Sequence, residues 1–352
     1  MTTAISHPHL FAPERAEGNF MMNVQEPLVD ADELVGNTPM VRLRRLFPQP
    51  HVRVFAKLEF YNPTGSIKDR VVRHIIDDAE RTGRLRPGGT IVESTSGNTG
   101  AAIALIAAQR GYRAVLTMPD KVSREKQNAL KAMGARIIVC PTSAPPGSAE
   151  HYLTVARGIA ADTEGAFMVD QYNNRKNVEA HFIGTGPEIW RQVGPSIDVF
   201  VASGSTGGTV SGCGRFLKSQ RPDIRVVMPD PKGSIYHRYF NERKVDPTDI
   251  GSYQVEGVGE DHLVGCMDFD VLDEVIQFTD TDAFKAARAL ARVEGIMGGG
   301  SGGANIWACQ QIVARTEIPI TIVTVIPDSG LKYMSKFFSD AWLQEHGHVD
   351  AL

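Results

Sequence analysis

Lys68 is the residue whose surroundings first suggest covalent chemistry. It lies in the segment NPTGSIKDR, where Asn62 and Pro63 end a predicted strand and Ser66 is a candidate helix N-cap. Lys68 is therefore predicted in the first helical turn, where the helix dipole disfavours a positive charge and helps to keep a free amine. Such an amine can form a Schiff base with a carbonyl compound. Taken alone, a lysine at this position is more often a solvated surface charge.

A glycine-rich loop, VASGSTGGTVSG, offers a second chemical feature, an anion site. A β-rich run passes through it into a helical pattern, so backbone N–H groups and hydroxyls can surround a phosphate at a helix N-terminus. The loop lacks the lysine of a P-loop and the glycine spacing of a dinucleotide-binding loop, which favours an isolated phosphate on a compact cofactor. An ordinary glycine-rich turn explains this loop equally well by itself. The predicted phosphate ligands are Ser205, Thr206, Gly207, Gly208 and Thr209.

A third loop, ESTSGNTG, also follows a predicted strand and precedes a predicted helix. Its hydroxyls and its backbone donors suit a carboxylate, and Asn98 is placed to meet a hydroxyl of a cofactor. Helix capping alone accounts for its serine and threonines about as often. The predicted carboxylate ligands in this loop are Thr95, Ser96, Gly97 and Thr99.

Ser301 lies among five glycines in GIMGGGSGGAN, which would let a flat ring approach the backbone. A serine next to a pyridine nitrogen is a neutral partner that leaves the nitrogen unprotonated and favours α,β-elimination over transamination. A flexible linker before a helix explains this motif equally well in isolation. Together, however, the lysine, the phosphate loop and the carboxylate loop match what the Schiff base of an α-amino acid requires.

The elements that must position these loops are predicted to alternate between strands and helices. From about residue 52, short β-rich runs alternate with longer helical patterns, which is typical of parallel sheets with crossover helices. A chain of 352 residues is also long for a single hydrophobic core. We predict a flexible arm at residues 1–25, a smaller mobile domain at 46–179, and a larger domain from 26–45 and 180–352.

Composition narrows the classes of partner. A formal charge of −4 and a sequence pI near 6.2 disfavour nucleic acid as a partner. No stretch approaches the roughly 20 apolar residues that span a bilayer, and the N-terminal residues lack an apolar signal core. The four cysteines are scattered without a Cys-x-x-Cys pair, so neither a metal site nor a disulfide framework is predicted, and the expected location is the cytoplasm.

These motifs resemble those of the β-family of pyridoxal-phosphate (PLP) enzymes, fold type II, which includes cysteine synthase and cystathionine β-synthase. NPTGSIKDR, ESTSGNTG, DQYNN, STGGT and GGGSGGA appear in the family's order from about residue 33 onward. The chain is most similar to the catalytic core of cystathionine β-synthases, and the segments that carry this similarity are KLEFYNPTGSIKDR, DPKGSI, YQVEGVG and IPDSGLKYMSKFFSD. The resemblance implies the tryptophan synthase β-like fold, with two domains that each have a mostly parallel sheet flanked by helices.

The resemblance also implies a role for each site residue. Lys68 would carry PLP, Asn98 would bond its hydroxyl, the residues from Ser205 to Thr209 would hold its phosphate, and Ser301 would meet its pyridine nitrogen. Gln171, in DQYNN, would join Thr95, Ser96 and Thr99 in binding the substrate carboxylate.

The implied reaction is β-replacement on L-serine, O-acetylserine or O-phosphoserine. Lys68 would remove the α-proton, the β-substituent would leave to give an aminoacrylate, and a thiol, homocysteine or sulfide, would add before Lys68 returns the proton. Closure of the smaller domain would exclude water. The substrates would be small amino acids, and relatives are commonly homodimers.

Two departures from the family pattern leave alternatives open. Ser205 stands where the family usually has glycine, and Glu260–Val264 replaces an aromatic-Ile-Pro pattern next to the second-substrate site, which weakens the case for homocysteine. His262, in this segment, is read as a surface or packed histidine.

The enzymatic alternative joins O-phosphoserine to an amine. The segments FPQPHVRVFAKLE and GTGPEI of this chain resemble those of synthases that catalyse this reaction in diaminopropionate production. A non-catalytic binding protein with the same fold is the alternative of another class. A nucleotide-binding oxidoreductase is remote because no dinucleotide fingerprint is present. Haem and regulatory repeats are not expected.

Overall fold

The computed structural model describes residues 30–95, 97–145 and 147–352, which form two β-sheets that are each flanked by helices. The predicted arm at residues 1–25 and the predicted site residue Ser96 lie outside them. The strands, in chain order, are β1 (Met40–Arg42), β2 (Val52–Leu58), β3 (Thr90–Ser94), β4 (Arg113–Pro119), β5 (Arg136–Cys140), β6 (Ala166–Met168), β7 (Val199–Val201), β8 (Arg225–Pro231), β9 (Glu274–Phe278) and β10 (Ile320–Ile326).

Helices connect most of the strands, as the alternating sequence pattern predicts. They are α1 (Lys68–Arg81), α2 (Asn98–Arg110), α3 (Arg124–Ala132), α4 (Tyr152–Asp162), α5 (Lys176–Ala180), α6 (Gly186–Val193), α7 (Gly208–Gln220), α8 (Tyr236–Glu242), α9 (Asp280–Glu294), α10 (Gly300–Ala314) and α11 (Asp340–Glu345). A π-helical turn at His181–Thr185 joins α5 to α6. Helix α2 ends at Gly111, as predicted, because this glycine adopts a left-handed conformation (φ 72°).

The larger sheet of the described chain has the strand order β1-β2-β10-β7-β8-β9. Strand β1 runs antiparallel to β2, and the other pairs are parallel, with Ile320 of β10 opposite Val52 of β2. All seven residues of β10 are buried, as expected for a central strand whose two faces are covered by helices. Separate hydrophobic clusters fill the two faces of this sheet.

The smaller sheet has the strand order β5-β4-β3-β6 and is parallel throughout. Its central strand β3 is fully buried, and one cluster joins it to α1 and α2 through residues such as Val72, Ile91 and Ile103. Helix α1, which begins at Lys68, therefore belongs to the smaller domain. The α/β fold class and the two mostly parallel sheets are confirmed.

Strand β2 departs from the predicted division into domains. It lies inside the range 46–179 predicted for the smaller domain, yet it pairs with β10 in the larger sheet. The reason is that an apolar run such as VRVFAKL marks a buried strand but carries no information about which sheet it joins. The chain crosses to the smaller domain only after β2.

In the described part of the chain, no helix combines the length and the apolar character that crossing a bilayer requires.

Candidate active site

Most of the predicted site segments lie at the carboxyl ends of parallel strands. The loop to Lys68 follows β2, the carboxylate loop follows β3, and the phosphate loop follows β7. Ligands of open α/β sheets bind at this edge because the loops there are followed by helix N-termini. The fold therefore gathers segments that are far apart in the sequence.

Lys68 is the first residue of α1, as predicted, and its loop is fixed to the end of β10. The backbone N–H of Ile67 donates to the carbonyl of Pro327 (2.8 Å), and the backbones of Ser66 and Asp328 form an isolated antiparallel β-bridge. The Lys68 N–H approaches Ser66 Oγ at 3.3 Å. Burial lowers the pKa of the Lys68 amine, while the charges of Asp328 and Glu260 raise it. Burial thus favours a free amine, an effect that the predicted helix position did not include.

The phosphate loop has two glycines, Gly207 and Gly208, at the start of α7. Gly207 has φ 82°, and a Cβ built on Gly208 would lie 1.9 Å from Asn177 Oδ1. The Asn177 amide in turn donates to Thr206 Oγ1 (3.1 Å). A small cavity next to Lys68 is lined by all of the predicted phosphate ligands, Ser205, Thr206, Gly207, Gly208 and Thr209.

His181 supports this loop from behind and was missed by the sequence analysis. Its Nδ1 lies 2.9 Å from Thr185 Oγ1 and its Nε2 lies 3.2 Å from Thr209 Oγ1. Burial keeps the pKa of His181 well below its usual value. A neutral ring that accepts from Thr185 donates to Thr209, which leaves the Thr209 hydroxyl proton free for an anion. Only the π-helical turn, which has no clear sequence signature, brings these side chains together.

Gln171 contacts the carboxylate loop through Thr99. Thr99 Oγ1 donates to Gln171 Oε1 at 2.6 Å, which joins the start of α2 to the segment after β6. Thr95 and Gly97 line the same cavity as these two residues. Ser96, predicted with them, lies outside the described residues.

Asn98 is held between two charged groups that the sequence analysis did not single out. Its Nδ2 donates to Asp328 Oδ2 (2.8 Å) and its Oδ1 accepts from Lys332 Nζ (2.5 Å). Tyr333 also donates to Asp328 Oδ2 (2.7 Å). Among the described residues, the buried Asp328 Oδ1 has no hydrogen-bond partner. These partners fix the orientation of the Asn98 amide, and one N–H remains to meet a ligand.

Ser301 is buried in the first turn of α10 and lines the same cavity as Lys68. Its glycines have protein neighbours: a Cβ on Gly299 would lie 2.0 Å from Asp328 Oδ1, and one on Gly303 would lie 2.1 Å from the Ala283 carbonyl. Two of the glycines are therefore required for the approach of Asp328 and of α9. The alternative of a flexible linker is wrong, because the motif forms the start of a helix.

One cavity of about 700 Å³ connects most of these groups. It adjoins the small phosphate cavity through Lys68, Ser205 and Thr206, which line both. The predicted residues that line the large cavity are Lys68, Thr95, Gly97, Asn98, Thr99, Gln171, Ser205, Thr206 and Ser301. A buried amine, a phosphate cradle and a carboxylate loop thus share one space.

Three residues of the segment Glu260–Val264 line this cavity, namely Glu260, Asp261 and His262. Glu260 Oε1 accepts a hydrogen bond from Ser205 Oγ (2.5 Å), so the two departures from the family pattern contact each other. His262 is paired with Asp261 (2.7 Å), and its side chain is 61% exposed, in keeping with the prediction of a surface histidine.

The family described as "Pyridoxal-phosphate dependent enzyme" matches residues 31–328 of the chain. The protein belongs to this family. Its cofactor is PLP, and the residues present fit that cofactor: Lys68 supplies an amine, and the glycine cradle at α7 has no room for side chains.

Several curated relatives are named cystathionine beta-synthase or cysteine synthase. The chain is 42% identical to cystathionine beta-synthase of Saccharomyces cerevisiae over 90% of this chain and 64% of that protein. It is 40% identical to cystathionine beta-synthase of Apis mellifera over 90% of this chain and 62% of that protein. Cysteine synthase of Staphylococcus aureus is 37% identical over 88% of this chain and 97% of that protein. The chain therefore spans less than two thirds of the length of these cystathionine beta-synthases.

A solved family structure has the same fold. The crystal structure of O-ureido-L-serine synthase superposes with a TM-score of 0.80 at 33% identity, covering 90% of this chain and all of that chain.

Proposed function

We propose that the protein catalyses PLP-dependent β-replacement on L-serine or an activated serine, with a thiol as the nucleophile. The observation that carries this proposal is the position of the Lys68 amine, between the phosphate cradle and the Thr99–Gln171 pair in one cavity. The names of the relatives, cystathionine beta-synthase and cysteine synthase, support homocysteine or sulfide as the thiol.

The positions of the residues support the roles that the family resemblance implies. PLP, when bound, supplies the electron sink for chemistry at the α-carbon of the substrate. Lys68 removes the α-proton and later returns it. Its buried environment favours this role because burial lowers the pKa of the amine and so favours its uncharged form. Asn98 would bond the cofactor hydroxyl, and Ser301 would meet the pyridine nitrogen. The substrate carboxylate is bound by Thr95, Ser96, Gly97, Thr99 and Gln171, and the phosphate by Ser205, Thr206, Gly207, Gly208 and Thr209.

Closure of the smaller domain over the larger one would exclude water after the β-substituent leaves. We also propose a homodimer in the cytoplasm. The exposed apolar side chains of Phe182 and Ile183 support an interface, and the four cysteines, which are buried and free of disulfides, suit a reducing compartment. Light scattering that gives a monomer mass would contradict the dimer.

A second candidate joins O-phosphoserine to an amine. The observation that favours it is the carboxylate of Glu260 in the cavity, since an acidic group suits an N–H donor better than it suits an anion such as hydrosulfide.

The test is to mix the purified holoenzyme with serine, O-acetylserine or O-phosphoserine and to follow the visible absorbance of the cofactor and the release of the β-substituent. We expect one donor to change the spectrum and one nucleophile to restore it. Lys68→Ala protein should lose both the absorbance of the lysine-bound cofactor and turnover. Wild-type protein that takes up no PLP would contradict the proposal and favour the non-catalytic alternative.

A further inference from the structure

Glu260 is a titratable group in the cavity to which the proposed β-replacement assigns no catalytic role. Its side chain is only 13% exposed and lines the cavity that contains Lys68. The backbone is fixed on both sides, since its N–H donates to Ser234 Oγ (3.1 Å) and its carbonyl accepts from the Ile235 N–H (3.0 Å). The carboxylate is therefore held in the site by its own loop.

The carboxylate is oriented by a hydroxyl. Ser205 Oγ donates to Oε1 at 2.5 Å. A carboxylate has about four lone-pair sites, so this donor leaves capacity for others. On its own loop, His262 Nδ1 lies 4.0 Å from Oε2 and is paired with Asp261. A donor that enters the cavity can thus reach Glu260.

The surroundings of Glu260 favour proton exchange. Burial raises the pKa of its carboxyl, while the hydrogen bond from Ser205 opposes the rise. Its charge acts on Lys68 of α1 and on four tyrosines, Tyr152, Tyr172, Tyr236 and Tyr253. A largely buried carboxylate is a stronger base than one in water.

We propose that Glu260 is the proton acceptor for the second substrate, a nucleophile that enters the cavity as an uncharged thiol or amine and gives up its S–H or N–H proton as it adds to Cβ. This inference rests on the proposed β-replacement. Glu260 is then a catalytic residue of the second half of the reaction, whereas Lys68 serves both halves.

The step balances without another reactant. The lone pair of sulfur or nitrogen forms the bond to Cβ of the donor, and the π pair of the Cα=Cβ double bond moves to Cα. The S–H or N–H proton passes to the Glu260 carboxylate, and the Lys68 ammonium supplies the proton at Cα. Glu260 afterwards releases its proton to water at the mouth of the cavity. Hydrosulfide, which arrives already ionised, needs no such acceptor.

The experiment compares nucleophiles that arrive protonated with one that arrives ionised. Holoenzyme is loaded with O-acetylserine, and stopped-flow absorbance then follows the reaction with L-homocysteine, 1,2,4-triazole or sulfide. In Glu260→Gln protein, whose amide can still accept from Ser205, we expect homocysteine and triazole to react roughly 100-fold more slowly. The rate with sulfide should stay within a few-fold of the wild type or increase. Equal slowing of all three nucleophiles, or of none, would overturn the proposal.

Two further variants control the result. Asp270→Asn removes an exposed carboxylate outside the cavity, which is paired with Arg243, and should leave all three rates within about twofold. Glu260→Asp retains a carboxylate and should recover at least about tenfold of the loss with homocysteine; failure to recover contradicts a role as base. If the wild type releases no acetate from O-acetylserine, the proposed β-replacement fails instead.

Discussion

At the scale of single residues, the site depends on groups that hold the predicted ligands in place. Asn98 is the clearest example, because an amide can face a ligand with either end. Lys332 and Asp328 occupy opposite ends of this amide and fix which end is free. Burial lowers the pKa of Lys332 and raises that of Asp328, so poor solvation disfavours the charged form of both groups.

Replacing Lys332 tests this arrangement. Lys332→Met removes the donor to Asn98 and leaves Asp328 without its nearby cation, so we expect PLP to bind roughly 10-fold to 100-fold more weakly, as for loss of a charged hydrogen bond. Titration with PLP, followed by absorbance, measures the change. The matched control is Lys218→Met, which breaks an outer ion pair with Asp273 and should leave the affinity unchanged. Equal affinities for the wild type and Lys332→Met would contradict the role.

At the scale of elements, strand ends and helix starts create the phosphate cradle. The approach of α7 to α5 is so close that Gly208 has no space for a Cβ. Its neighbour, Asn177, is buried and also donates to the Gln171 carbonyl (2.8 Å). A side chain at Gly208 must therefore displace the phosphate loop or the carboxylate-binding segment.

Gly208→Ala is expected to weaken PLP binding by at least about tenfold and to destabilise the protein by roughly 1–3 kcal/mol, as for overpacking in a core. PLP titration and urea unfolding measure the two effects. Gly158→Ala is the matched control: it lies in helix α4 with open space at its Cβ, and it should be neutral or stabilise the protein by about 0.5–1 kcal/mol. The same behaviour in both variants would show that the cradle is not tightly packed.

At the scale of the whole molecule, a buried ionic network joins the helix that carries Lys68 to the larger domain. Arg70 of α1 donates to Glu59, which follows β2, through Nε (2.6 Å), and to Glu188 of α6 (2.7 and 2.8 Å). Lys57 of β2 donates to the same Glu188 (2.7 Å). Two cations thus balance two carboxylates where the domains meet.

Removal of Arg70 leaves this site with two buried carboxylates and one cation. Arg70→Met should therefore destabilise the protein by about 3–5 kcal/mol in urea unfolding at neutral pH. Arg243→Met, which breaks an exposed ion pair with Asp270, should change stability by less than about 0.5 kcal/mol.

The same network predicts a dependence on pH. Burial alone would raise the pKa of Glu188, but the hydrogen bond and charge of Arg70 lower it to about 2, from 4.5. Because the folded state holds this carboxylate ionised more strongly than the unfolded state does, its contribution is present above pH 4.5 and is lost as the pH falls towards 2. Unfolding between these pH values should show a shallower loss in Arg70→Met protein. An equally steep loss would contradict the assignment to Arg70.

Much of this organisation was predictable from local sequence. The strands β2, β3, β4, β5, β7, β8 and β10 lie in apolar runs that predict strands, whereas β1 and β6 are short segments without such a run and β9 mixes buried and exposed positions. Glycine-rich loops predict the phosphate and carboxylate sites because bare backbone at a helix start is itself the binding feature.

What the sequence determined by itself is the inventory of chemistry: a lysine in a strand-to-helix loop, two anion-binding loops and a serine between glycines. Each is local, since a loop and the helix after it are adjacent in the chain. The tertiary structure alone decided the partners. Strand β2 lies in the larger sheet, and His181, Asp328 and Glu260 reach the predicted ligands Thr209, Asn98 and Ser205 from distant segments. Such contacts depend on how the sheets and helices pack, which no spacing along the chain encodes.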